Sequence, residues 1–100
     1  MIIYNVTVNI DKSVHDEWLQ WMRQVHIPDV MRTGYFVTNK ILKVLVEEET
    51  DGATYSIQYT CNSMNDFLEY ESKHALKLRE EHTEKFKNKF GAFRTLLEEV

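Results

Sequence analysis

The chain contains one cysteine, one proline and three glycines in 100 residues. A lone thiol, Cys61, excludes an internal disulfide and fits a reducing compartment. No repeat, linker or low-complexity stretch interrupts the pattern. No apolar run is long enough to span a bilayer, so no membrane partner is expected. The first residues begin directly on a strand pattern, and no basic segment precedes a long apolar run, so no signal peptide is expected. Positive charge is also scarce: 12 Lys and Arg stand against 16 Asp and Glu, a net charge of −4. Phosphate binding needs a basic face, so nucleic acid is not an expected partner. Histidines and carboxylates never fall at the local spacing of a zinc site, and no metal is expected. What remains is a single cytoplasmic domain over residues 1–100. Its 43% hydrophobic and 12% aromatic content is enough for a two-layer core.

Ile2, Tyr4, Val6, Val8 and Ile10 alternate with Asn5, Thr7 and Asn9, the period of a strand with one face on a core. Tyr55, Ile57 and Tyr59 alternate in the same way with Thr54, Ser56, Gln58 and Thr60. Between them, Asp11 and Ser13 offer caps for a helix carrying Val14, Trp18, Trp21, Met22 and Val25 on one stripe. Pro28 is expected to kink that helix near His26-Ile27 or to start a further turn, and Gly34 closes it. Tyr35 to Glu49 reads as a long strand, with Asp51-Gly52 as a hairpin turn before a strand at Ala53–Cys61. Ser63 caps a helix from Met64 to Lys87. Met64, Leu68, Ala75, Leu78 and Phe86 form its core stripe, Gly91 ends it, and Phe93 to Val100 is a last strand.

The order β-α-β-β-α-β, with right-handed crossovers, predicts an α+β ferredoxin-like fold: a four-stranded antiparallel sheet with both helices on one face. The polar residues Asn5, Thr7, Asn9, Ser56, Gln58 and Thr60 then face away from the helices. Simple solvent exposure accounts for them, and so does a partly wet ligand cavity between two paired sheets, where amides and hydroxyls orient a small molecule. Both faces of the second strand are apolar, through Val37, Ile41 and Leu45 or Phe36, Leu42 and Val44. That excess favours a homodimer.

His82 and Glu71 fall on the second helix's apolar stripe and are the candidate acid–base residues. A buried carboxylate is costly unless paired, so Glu71 needs a partner or an edge position. The bland alternatives are that Glu71 reaches the rim and that His82 donates to a backbone carbonyl. Eleven residues separate the two, roughly 16 Å along a helix. Topology sets His26 apart from His82, and His15 is the histidine expected to approach it. Cys61 has no acid–base motif beside it and reads as structural.

Trp18-x-x-Trp21-Met22, Val25-His26-Ile27-Pro28, Glu81-His82 and Phe93-Arg94-Thr95 together resemble a small bacterial family of unknown function over nearly the whole chain. The resemblance implies the dimeric α+β barrel, in which two ferredoxin-like sheets pack together. That wider fold includes small monooxygenases, muconolactone isomerase-like proteins and haem-degrading enzymes. By analogy with the last, Asn5 and His82 take the roles of a first-strand Asn and a second-helix His, with Tyr70 where those proteins carry Trp. The spacing of Tyr70 and His82 departs from that pattern. The RNA-recognition motif shares the element order, but Asp51-Gly52-Ala53-Thr54-Tyr55 lacks its basic residue and one of its aromatics. The expectation is a homodimeric small-ligand-binding domain with no cofactor identified. Its enzymatic version carries out cofactor-free oxygenation or isomerisation, with His82 or Glu71 moving protons and Asn5 orienting the substrate. The alternative is a non-enzymatic structural or regulatory dimer that binds another protein.

Overall fold

The computed structural model describes residues 1–45 and 52–100. Strand β1 runs over Ile2–Asp11 and leads through a 3-10 turn, Lys12–Val14, into the first helix. The Asp11 carboxylate accepts the Ser13 backbone N–H at 2.8 Å, the expected cap. Helix α1 is continuous from His15–Trp21 through a π segment, Met22–His26, to Ile27–Arg32. Gly34 follows it at φ +84°, a left-handed position glycine occupies without strain, and its N–H reaches the Met31 carbonyl at 3.1 Å.

Strand β2 is Thr38–Lys43; of the strand expected over Tyr35 to Glu49, residues 46–49 fall outside the described residues. Tyr35–Val37 lies outside regular structure, and the expected turn at Asp51 falls largely outside the described residues. Strand β3, Gly52–Cys61, follows. Helix α2 then runs through Met64–Tyr70, a second π segment Glu71–Ala75, and Leu76–Lys85. Ser63 caps it, accepting the Asp66 N–H at 3.2 Å. Strand β4 is Phe90–Glu98.

The strands pair antiparallel in the order β2-β3-β1-β4, which is the ferredoxin-like topology. The register sets Tyr4 opposite Tyr59 and Asn5 opposite Gln58, and Val6 opposite Arg94. Tyr4, Val8, Ile10, Tyr55, Ile57 and Tyr59 are buried beneath the helices, as their alternation predicts. Trp18 and Val30 from α1, with Phe67, Tyr70 and Phe86 from α2, complete the core.

Several details differ from the sequence reading, and in α1 the reason is its π segment. An α-helix brings residues three and four apart onto one face, whereas a π segment inserts one extra residue and rotates everything after it. In α1 the Ile27 N–H bonds the Met22 carbonyl, five residues back. Val25 is therefore turned out to solvent (39% exposed), while Ile27 and Val30 are buried. Pro28 breaks nothing, because the widened turn just before it absorbs the misfit a proline ring causes with the carbonyl four residues earlier. In α2, Met64 and Leu68 are exposed while Phe67 and Tyr70 take the core positions. Gly91 lies inside β4, and the left-handed residue after α2 is Asn88, at φ 65°.

Candidate functional site

The helices and the sheet enclose a cavity of about 50 Å³. By this measure a water occupies roughly 10–15 Å³, so the space suits a few waters or a few ligand atoms. Tyr4, Tyr59 and Arg94 reach it from the sheet, Met22 and His26 from α1, and Tyr70, Arg79 and His82 from α2. The first π segment borders it through Met22 and His26, and Tyr70 stands one residue ahead of the second. Such single-turn bulges frequently accompany functional sites.

His26 and His82, expected to lie apart, come together here with ring centroids 5.8 Å apart. His15 instead shares a 2.6 Å hydrogen bond with Tyr55 Oη and another, of 2.9 Å, with Asp16. The Trp18 indole N–H donates to His82 Nε2 at 2.8 Å. That nitrogen is thus an acceptor, and the proton of the neutral imidazole sits on Nδ1. Burial away from water lowers His82 to about 4, and the charges of His26 and Arg94 push the same way. His26 is also held at about 4, by burial first; Asp29 opposes the shift and Arg94 reinforces it. Burial likewise drives the Tyr59 and Tyr70 phenols well above their ordinary range. Both imidazoles are neutral at pH 7, and both phenols keep their protons.

At one end of the cavity two guanidinium groups meet. Arg79 Nη2 and Arg94 Nε each donate to Tyr4 Oη at 3.0 Å. Arg79 Nη2 also donates to Glu71 Oε2 at 2.8 Å. Glu71 thus finds the partner its position demands, at the rim and far from His82 along the helix. Three buried side-chain atoms among the described residues lack a hydrogen-bond partner: His26 Nδ1, Tyr59 Oη and Arg79 Nε. All three belong to residues lining this cavity.

The polar residues Asn5, Thr7, Asn9, Ser56, Gln58 and Thr60 lie on the opposite, uncovered face. There Ser56 Oγ donates to Asn5 Oδ1, Asn5 Nδ2 to Thr7 Oγ1 at 3.0 Å, and Gln58 Nε2 to Ser56 Oγ at 3.4 Å. Asn9 Nδ2 donates to Thr54 Oγ1 at 3.0 Å. The sheet stands between Asn5 and His82, so these two do not share a site, contrary to the haem-enzyme analogy. Sequence reasoning missed His26, Tyr59, Arg79 and Arg94. Tyr59 was legible only as a core residue, Arg94 only within the Phe93-Arg94-Thr95 segment, and Arg79 carried no signal beyond its charge.

Fold and cavity together define a ferredoxin-like α+β protein with a small, largely apolar chamber between sheet and helices, into which a few polar side chains reach. The chain belongs to the family described as a domain of unknown function, DUF4286, which it matches over residues 1–100. No curated protein matches it. Among solved structures it is similar to a dimeric ferredoxin-like protein from an uncultured marine organism, with TM-score 0.71 and 13% identity over 100% of this chain and 95% of that one. It is also similar to SnoaB, a cofactor-independent oxygenase from Streptomyces nogalater, with TM-score 0.66 and 12% identity over 98% of this chain and 92% of the other. Hydroxynitrile lyase from Passiflora edulis matches with TM-score 0.64 and 18% identity over 99% and 97% of the two chains. At these identities the likeness is one of fold. No helix among the described residues is long and apolar enough to cross a membrane.

Proposed function

We propose that this is a homodimeric small-ligand-binding protein whose pocket is the sheet–helix cavity. His82 and His26 are its acid–base groups, in a reaction of the cofactor-free oxygenase or isomerase type. The observation that carries this reading is the trio of unpartnered atoms, His26 Nδ1, Tyr59 Oη and Arg79 Nε, around one cavity. Leaving a buried polar atom unpaired costs roughly 1–3 kcal/mol, a cost that a ligand with matching polar groups relieves. Proton transfer then falls to the imidazole pair, one of which is fixed in tautomer by Trp18. The dimeric ferredoxin-like relative and the oxygenase relative support the dimer and the reaction type by analogy of fold.

The uncovered face supports a second reading for Asn5, Thr7, Ser56 and Gln58. Their side chains bond one another and need no ligand. That suits the interior of a non-enzymatic structural or regulatory dimer.

Native mass spectrometry of gently purified protein separates the readings, with Tyr59→Phe as the diagnostic variant. The first reading expects a dimer carrying a discrete extra mass, which Tyr59→Phe retains less well. Tyr59→Phe should at the same time stabilise the ligand-free protein by about 1 kcal/mol, because it removes an unpaired hydroxyl. A dimer that is always bare, with Tyr59→Phe less stable than the parent, would assign the hydroxyl to the fold and favour the second reading.

A further inference from the structure

We propose that the cavity takes a short organic anion, a carboxylate or enolate of a few heavy atoms, whose acidic oxygen is held by Arg79 and Arg94 at the Tyr4 end. This rests on the pocket reading above and adds the charge and size of the ligand.

Four features carry it. Two cations from separate elements, α2 and β4, are drawn onto one phenol oxygen, each at 3.0 Å. Like charges held together repel, and a fold that gathers them gains from an anion between them. Only one carboxylate answers them: Glu71 pairs with Arg79, and Arg94 forms no ion pair among the described residues. That leaves one positive charge in excess at the cavity mouth of a chain whose net charge is −4.

The second feature is geometric. Arg79 spends Nη2 on Tyr4 and Glu71, yet its Nε–H is buried with no acceptor. A guanidinium presents its donors in a rigid fork suited to oxyanions, and here one tine is already in place and unused. Third, the same two arginines also border an outer groove with Glu71, Thr95 and Leu96, so they stand between cavity and solvent. A ligand entering from that side meets the cations first, and the 50 Å³ interior limits it to a compact molecule.

The fourth feature connects binding to chemistry. Arg94 is one of the charges that hold both imidazoles down. An anion seated against Arg94 offsets that charge and moves both histidines back toward the range in which an imidazole works as a base near neutral pH. The ligand thereby prepares its own acid–base groups.

The test is an NMR titration of the ¹⁵N-labelled full chain, following the Arg Nε–H and imidazole resonances. Propionate and pyruvate are the anionic probes, and propionamide is the neutral match. Both anions are expected to shift the Arg79 and Arg94 Nε–H signals and to raise the titration midpoints of His26 and His82, while propionamide does neither. Arg79→Met and Arg94→Met should each weaken anion binding by roughly tenfold, the scale of one charge-assisted hydrogen bond. Arg79→Lys keeps the charge without the Nε–H. It should preserve the fold and bind with intermediate affinity. If propionamide binds as tightly as propionate, the anion proposal falls and the pocket reading stands. If neither probe moves a cavity resonance, the proposal falls outright, and the pocket reading answers to the mass measurement described above.

Discussion

At the scale of single residues, the pair His26 and His82 concentrates the chemistry and also a stability liability. In the folded chain both titrate near 4, against an ordinary value of 6.5. Between those values the unfolded chain binds more protons than the folded one, so stability is complete above about pH 6.5 and declines as the pH falls toward 4. From pH 7 to pH 5 each histidine is expected to withdraw about 2 kcal/mol. Urea unfolding at the two pH values checks this, and His26→Phe should remove close to half of the difference. A midpoint that does not move between pH 7 and 5 would mean that both imidazoles are hydrated in the folded state. His82 was legible in the sequence because it sits four residues from both Leu78 and Phe86. His26 was set apart from it by topology, being near the end of the first helix while His82 is near the far end of the second, yet their rings meet at 5.8 Å.

At the scale of elements, strand alternation and helix caps were readable, and the strand ends and helix faces were not. Ile2 to Ile10 declares its face because every second side chain is apolar, and Ser63 declares the start of α2 through its hydroxyl. The π segments carry no such mark. Their consequence is the rotation that buries Ile27 and Val30 and exposes Val25. Pro28 explains why the bulge in α1 is tolerated: without it, the proline ring would meet the carbonyl four residues back, at a cost of about 3 kcal/mol. Deleting Arg23, which is exposed within the bulge, would restore a regular spacing, setting Ile27 and Val30 four and seven positions from Met22. The deletion alone is therefore expected to destabilise by about 3 kcal/mol through the proline. Combined with Pro28→Ala it should recover most of that loss, whereas Pro28→Ala in the intact chain should change little. Denaturant unfolding of the four proteins forms a double-mutant cycle. Additive effects would show that bulge and proline are independent.

At the scale of the whole molecule, the side of the sheet opposite the helices is divided by charge and polarity. Its centre is the bonded set of Asn5, Thr7, Ser56 and Gln58, whose alternation with apolar residues made this face legible from the sequence. Its margins mix polar residues, Lys40 on β2 and Thr95 on β4, with exposed apolar ones: Leu42 on β2 is 45% exposed, and Phe93 and Leu97 on β4 are 63% and 43% exposed. Burying side chains of this size contributes about 1.5–3 kcal/mol each, and a second copy meeting this face buries each of them twice. The satisfied polar centre does not oppose such a pairing, because its groups bring their hydrogen bonds with them. Phe93→Glu then sets a carboxylate on each copy at the same margin, on the face of the sheet opposite the one that carries Arg79, His26 and His82. The expected outcome is a monomer at micromolar concentration by light scattering, with helix and strand content unchanged by circular dichroism and with anion-induced shifts of Arg79 Nε–H retained. A Phe93→Glu protein that remains dimeric would move the interface to an edge or a helix face. A monomer that has also lost the anion response would mean that the cavity takes its working shape only in the pair.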